Sequence, residues 1–104
     1  MSDEKQLELA AKAAGLEFWA HGDGGTYIGN PMRRWNPLTD DGDALRLAAD
    51  LRLKILHGRH KGDGCTVESQ RQGIPGCTTF RDDKREQMRR AIVHVAAEIG
   101  KAMP

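Results

Sequence analysis

The chain has 104 residues, of which 38% are hydrophobic, 30% are charged and five are aromatic, and its formal net charge is +1. That length fits one domain, and the composition is that of a folded chain rather than a disordered one. No apolar run approaches the roughly 20 residues that cross a bilayer, the acidic start Met1-Ser2-Asp3-Glu4-Lys5 has no signal core, and two cysteines, Cys65 and Cys77, are too few for a disulfide scaffold. The expectation is a cytoplasmic protein with free thiols, no membrane partner and no bound cofactor.

A first helix is predicted from about Glu4 to Ala14, capped by Ser2 or Asp3, with Leu7, Ala10, Ala11 and Ala14 on one face and Gly15 as its left-handed stop. Leu16 to Ala20 alternates with period two and reads as a strand. His21 to Gly25 reads as a turn, and Thr26-Tyr27-Ile28 as the returning strand of a hairpin. The two prolines between Asn30 and Pro37 predict an irregular segment. Thr39 or Asp40 then caps a second helix, whose first turn carries Asp40, Asp41 and Asp43, the charges that a helix N-terminus favours. Its buried face is Ala44, Leu47, Ala48 and Leu51.

Leu51, Leu53 and Ile55 alternate with Arg52 and Lys54, so this helix leads closely into a strand. His57 to Gly64 is a polar turn, Cys65 to Ser69 the strand that pairs back, Gln70 to Gly76 a loop, and Cys77 to Phe80 a short edge strand. A third helix runs from near Asp82 to near Lys101, with an apolar stripe of Met88, Ala91, Ile92, Val95, Ala96 and Ile99. Glu86 and Arg90 lie four apart and are expected to form a surface link of about 0.3–0.5 kcal/mol. The fold class is therefore α+β: a small antiparallel or mixed sheet of about four strands packed against two or three helices, in the order α-β-β-α-β-β-α, as one domain over residues 1–104.

From Trp35-Asn36-Pro37-Leu38-Thr39-Asp40-Asp41-Gly42-Asp43 through Ala44-Leu45-Arg46-Leu47-Ala48, the chain resembles a set of small proteins encoded by bacteriophages and prophages. Their pattern is a Trp-x-Pro segment opening a helix, then a short strand, then a helix resembling Arg89 to Gly100. The resemblance covers residues 27–104 except for His57 to Phe80, which matches no pattern. It implies a phage-type origin and no catalytic residues, because such proteins have no agreed activity.

Five groups of residues carry candidate chemistry. Trp35 and Asn36 could form a contact platform, although a tryptophan just before a helix cap also serves as a packing staple. His57, His60, Cys65 and Cys77 are of zinc-ligand type, but no Cys-x-x-Cys unit is present and a strand cysteine suits the core. Gly22, Gly24, Gly25 and Gly29 do not spell a phosphate-binding pattern. Asp40, Asp41 and Asp43 read as compensation of the helix dipole rather than a cation loop, since Leu45 and Leu47 occupy the stretch where further ligands would fall. Arg81, Lys84, Arg85, Arg89 and Arg90, with Arg52 and Lys54 nearby, could track phosphates; Asp82, Asp83 and Glu86 interrupt them, and no aromatic residue is interleaved.

Charge is also unevenly spread. Residues 1–51 hold five Lys/Arg and nine Asp/Glu (5 − 9 = −4), and residues 52–90 hold ten and five (10 − 5 = +5). No serine-hydrolase or zinc-protease motif occurs, and His21, His57, His60 and His94 are scattered. The expected function is a phage or prophage accessory protein that binds a host or phage macromolecule without catalysis. The alternatives are a nucleic-acid or nucleotide-binding domain using the basic face of the last helix, and a metal-dependent enzyme at the His/Cys group.

Overall fold

In the computed structural model, residues 2–22, 24–29, 32–60, 62–81 and 83–104 are described. Helix α1 spans Asp3–Ala13, and Ser2 caps it by accepting the Lys5 N–H on its hydroxyl. Gly15 follows at φ +73°, the left-handed stop expected there. Strands β1 (Phe18–Ala20) and β2 (Thr26–Ile28) form the predicted antiparallel hairpin, with Trp19 opposite Tyr27. Of the turn between them, Asp23 lies outside the described residues.

A third strand, β3 (Arg33–Arg34), pairs antiparallel with β2 and corrects the expectation of an irregular segment there. The pairing runs on to Trp35, whose N–H donates to the Thr26 carbonyl at 2.9 Å while its own carbonyl accepts the Thr26 hydroxyl. The prolines did not forbid it, because Pro37 lies beyond the paired residues; Asn30 and Pro31 lie outside the described residues.

Helix α2 (Asp41–Leu51) is capped by Asp40, which accepts the Asp43 N–H at 2.9 Å. It ends on Arg52 in the left-handed conformation, φ 55°, without a glycine. Such backbone costs a non-glycine residue about 1–2 kcal/mol, and here the Arg52 carbonyl accepts the Gln70 side chain. Strands β4 (Lys54–His57), β5 (Cys65–Glu68) and β6 (Cys77–Thr79) make a second antiparallel sheet in that order. Helix α3 (Lys84–Ala102) closes the chain, capped by Asp83; Asp82, where it was expected to start, lies outside the described residues.

The architecture is α+β, with two three-stranded antiparallel sheets in place of one sheet of about four strands. The order is α-β-β-β-α-β-β-β-α. Helix α3 is the hub: α1 lies along it, α2 packs on it, and the β4–β6 sheet covers another of its sides. So many neighbours bury more than the predicted stripe, and Gln87, Val93, Ala97 and Gly100 are buried as well. Where α1 and α3 cross, the backbones nearly touch. A Cβ added at Gly100 would stand 1.9 Å from the Leu9 carbonyl oxygen. One contiguous core joins α1, both sheets and the other two helices through residues such as Leu7, Ile28, Trp35, Leu47, Val67 and Ile92.

Candidate functional site at the Trp-Asn-Pro loop

The loop from Trp35 to Asp40 is built by its own polar groups. The Asn36 side-chain oxygen accepts the Leu38 N–H at 3.0 Å, an Asx turn that reverses the chain across Pro37. The Asn36 carbonyl accepts the N–H groups of Thr39 and Asp40. Its N–H donates to Asp43 Oδ2 at 3.0 Å, so the first turn of α2 grips the loop that precedes it. Asp43 is buried and also accepts Arg46 Nη2 at 2.7 Å, with Arg33 Nη1 at 3.8 Å. The Asp43 hydrogen bond, ahead of the pull of the Asp43 and Asp40 charges, holds the Arg46 pKa above its ordinary value, while burial opposes this.

Helix α3 clamps the same loop from the other side. Arg89 Nε donates to the Leu38 carbonyl at 2.8 Å and Nη1 to Asp41 Oδ1 at 2.6 Å. Arg85 reaches Asp41 Oδ2 at 3.4 Å from solvent. Arg90 forks onto both oxygens of Asp3 at 2.9 and 3.4 Å. The expected Glu86–Arg90 link therefore gives way to a pair between α3 and α1, and Arg89 is only 15% exposed in its side chain. Much of the charge asymmetry is complementarity within the molecule: acidic groups of the first half meet arginines of the second.

Two depressions open beside this loop. One, of about 470 Å³, lies between the first turn of α1, the turn after β1, the residues Asn36 to Thr39 and the start of α3. The other, of about 400 Å³, runs past β3 to Asp40, Asp43 and Arg46. Gly24, Gly25, Thr26, Asn36 and Thr39 line both, so the two adjoin along these residues, and the pair is termed the trough. Among the described residues, Arg90 Nε is the buried side-chain polar atom without a hydrogen-bond partner, and Arg90 belongs to the trough wall.

The candidate residues are placed as follows. Trp35 is 3% exposed, with its ring edge-on to Phe18 at 6.3 Å, so the indole is packing and not an open platform. Asn36 and Arg89 lie in the trough. Arg81 is exposed, and its carbonyl accepts the buried Gln87 side chain at 2.6 Å. Gly22, Gly24 and Gly25 line the trough, while the first-turn aspartates are taken up by the cap and the arginines. Cys65 is fully buried and half-buried Cys77 lies diagonal to it on the neighbouring strand; burial pushes both thiols up in pKa. His57 and His60 are exposed. Among the described residues no group of three or more His, Cys, Asp or Glu is placed to share a metal ion.

Sequence alone marks Asp3 and Thr39 only as helix-cap candidates, and Arg90 as part of a basic helix face, not as a partner of Asp3. Arg90 and Asp3 stand 87 positions apart, and the only sequence signal joining them is the opposite charge of the two halves. No helix among the described residues is long and apolar enough to cross a membrane. Comparison with known proteins finds no matching family model, no matching curated protein and no matching solved structure.

Proposed function

We propose that this protein is a non-catalytic binding module of phage or prophage type, acting in the bacterial cytoplasm, and that its trough receives a segment of a host or phage protein. The observation that carries this reading is the pair of adjoining depressions on a surface built from α1, the β1–β2 turn, the Trp-Asn-Pro loop and α3. A concave surface framed by hydrogen-bonded, salt-linked elements is preorganised, which limits the ordering cost of binding. Its walls offer carboxylates at Glu4 and Glu86 in one depression and the guanidinium group of Arg34 in the other, suiting a polypeptide that presents both charges. The basic face of α3 supports nucleic-acid binding less well, because Arg89 and Arg90 are already paired with Asp41 and Asp3.

Site-specific photo-crosslinking tests this. Ala20 and Thr39 are exposed and line the trough, whereas Ala102 is exposed at the far end of α3, about 25 Å along the helix from Arg85. A photoreactive residue at Ala20 or Thr39 should join the protein to the same polypeptide of a bacterial host extract, and one at Ala102 should not. Equal products from all three positions, or none from the first two, refute the reading.

A further inference from the structure

The β1–β3 sheet has a second face on which Trp19 and Arg34 are exposed. Phe18 and Ile28 are register partners, and Ile28 is in the core. The next row, Trp19–Tyr27–Arg34, is directly paired across all three strands and therefore points the other way. Trp19 is 38% exposed, Tyr27 half-buried and Arg34 exposed. His21 continues the row at the open end, its ring edge-on to Tyr27 at 4.7 Å. Three of the chain's few aromatic or imidazole rings thus collect on a small sheet face, ending at a guanidinium. Among the described residues the Arg34 side chain has no hydrogen-bond or ion-pair partner, whereas its neighbour Arg33 faces Asp43. Glu17 stands beside Gly29, two rows away from Trp19, Tyr27 and Arg34, and puts an exposed negative charge at the start of β1.

We propose that this face binds single-stranded nucleic acid, with bases stacked on Trp19 and Tyr27 and a phosphate on Arg34. Partly exposed rings next to an unpaired cation are the two parts such recognition needs: stacking that accepts any base, and a charge for the backbone. Adjacent strands lie about 4.8 Å apart, so a base on the Tyr27 ring leaves its sugar–phosphate within reach of Arg34. Glu17 places the phosphates at the β3 edge of the sheet rather than at the start of β1. A duplex hides its bases and gains only the charge term. The inference concerns the sheet face rather than the trough, with which it shares Arg34 and His21 at the rim.

The test is fluorescence anisotropy with labelled oligo(dT) and oligo(U) of about 12 nucleotides, beside a duplex of the same length, in salt rising from about 50 mM. Single strands should bind, quench Trp19 emission and weaken with salt, and the duplex should bind more weakly. Trp19→Leu and Tyr27→Leu keep apolar bulk but lose the stacking face, and each should weaken binding about tenfold or more. Arg34→Gln should weaken it and flatten the salt dependence by about one phosphate contact. Far-ultraviolet circular dichroism of each variant separates lost binding from lost fold, and Arg34→Gln, on an exposed side chain, is the variant expected to fold normally. No binding of single strands at low salt, equal binding of the duplex, or undiminished binding by folded Arg34→Gln and Trp19→Leu overturns the proposal, and a trough crosslink would be unaffected by that outcome.

Discussion

Replacing Arg89 by methionine should unfasten the Trp-Asn-Pro loop from α3 while keeping most of the aliphatic bulk. Two charge-assisted bonds are lost, one to the Leu38 carbonyl and one to Asp41. Each such bond is worth about 1.5–3 kcal/mol when well shielded. The Leu38 bond deserves most of that range, because the Arg89 side chain is 15% exposed and the carbonyl it serves belongs to a buried residue. The Asp41 bond is discounted, since Asp41 is 33% exposed and keeps Arg85 as a second partner. A loss of about 2–3 kcal/mol results, near 10–15 °C in melting temperature for a domain of this size. Arg85→Met, on a side chain 76% exposed at 3.4 Å from the same carboxylate, should cost within about 0.5 kcal/mol. Urea titration of both variants, with Asp41→Asn to complete a double-mutant cycle, gives the coupling directly. Equal losses for Arg89→Met and Arg85→Met would show that apolar packing alone holds the loop, whereas a loss of about 2–3 kcal/mol by Arg89→Met without Arg89–Asp41 coupling would assign all of it to the Leu38 carbonyl bond.

Two further outcomes follow from single residues. Gly100→Ala should destabilise despite the gain of about 1 kcal/mol in helix propensity, because the new methyl meets the Leu9 carbonyl at 1.9 Å and forces α1 and α3 apart, an overpacking cost of about 1–3 kcal/mol or more; a raised melting temperature would show that the two helices slide freely. Asp83 caps α3 by accepting the N–H groups of Glu86 and Arg85, and these bonds hold its pKa below the ordinary 3.8. A folded pKa below the unfolded one means that this stabilisation is present above about pH 4 and fades as pH falls through the folded value. The stability difference between wild type and Asp83→Ala, measured by urea titration, should therefore shrink below pH 4, and a difference independent of pH would place the effect elsewhere.

The helices and the first hairpin were legible because their signals are local. Ser2, Asp40 and Gly15 mark helix ends with side chains or backbone freedom acting within a turn, and the spacing of Ala44, Leu47, Ala48 and Leu51 names a buried face without knowledge of what covers it. Strand β3 was not legible, since two arginines carry no alternating apolar signal; they pair with Tyr27 and Ile28, and the ladder is extended by the bonds between Thr26 and Trp35. The division into two sheets was equally hidden: each strand pattern states that a partner exists, not which sheet supplies it.

The site divides along the same line. Asn36 and its turn, and the acidic opening of α2, are properties of a few neighbouring residues and belong to the sequence alone. Whether Trp35 is core or platform was open from sequence, and packing against Phe18 decided it. The arginines of α3 read as a basic face that could track phosphates because sequence shows their helical spacing but not the carboxylates of Asp41 and Asp3, which lie 48 and 87 positions from Arg89 and Arg90. The aromatic row on the first sheet arose in the same way, from a register that sets Trp19, Tyr27 and Arg34 side by side. Spacing along a chain constrains what one element can present; which charges are neutralised and which rings meet is set by contacts between distant segments, and only the folded chain brings these together.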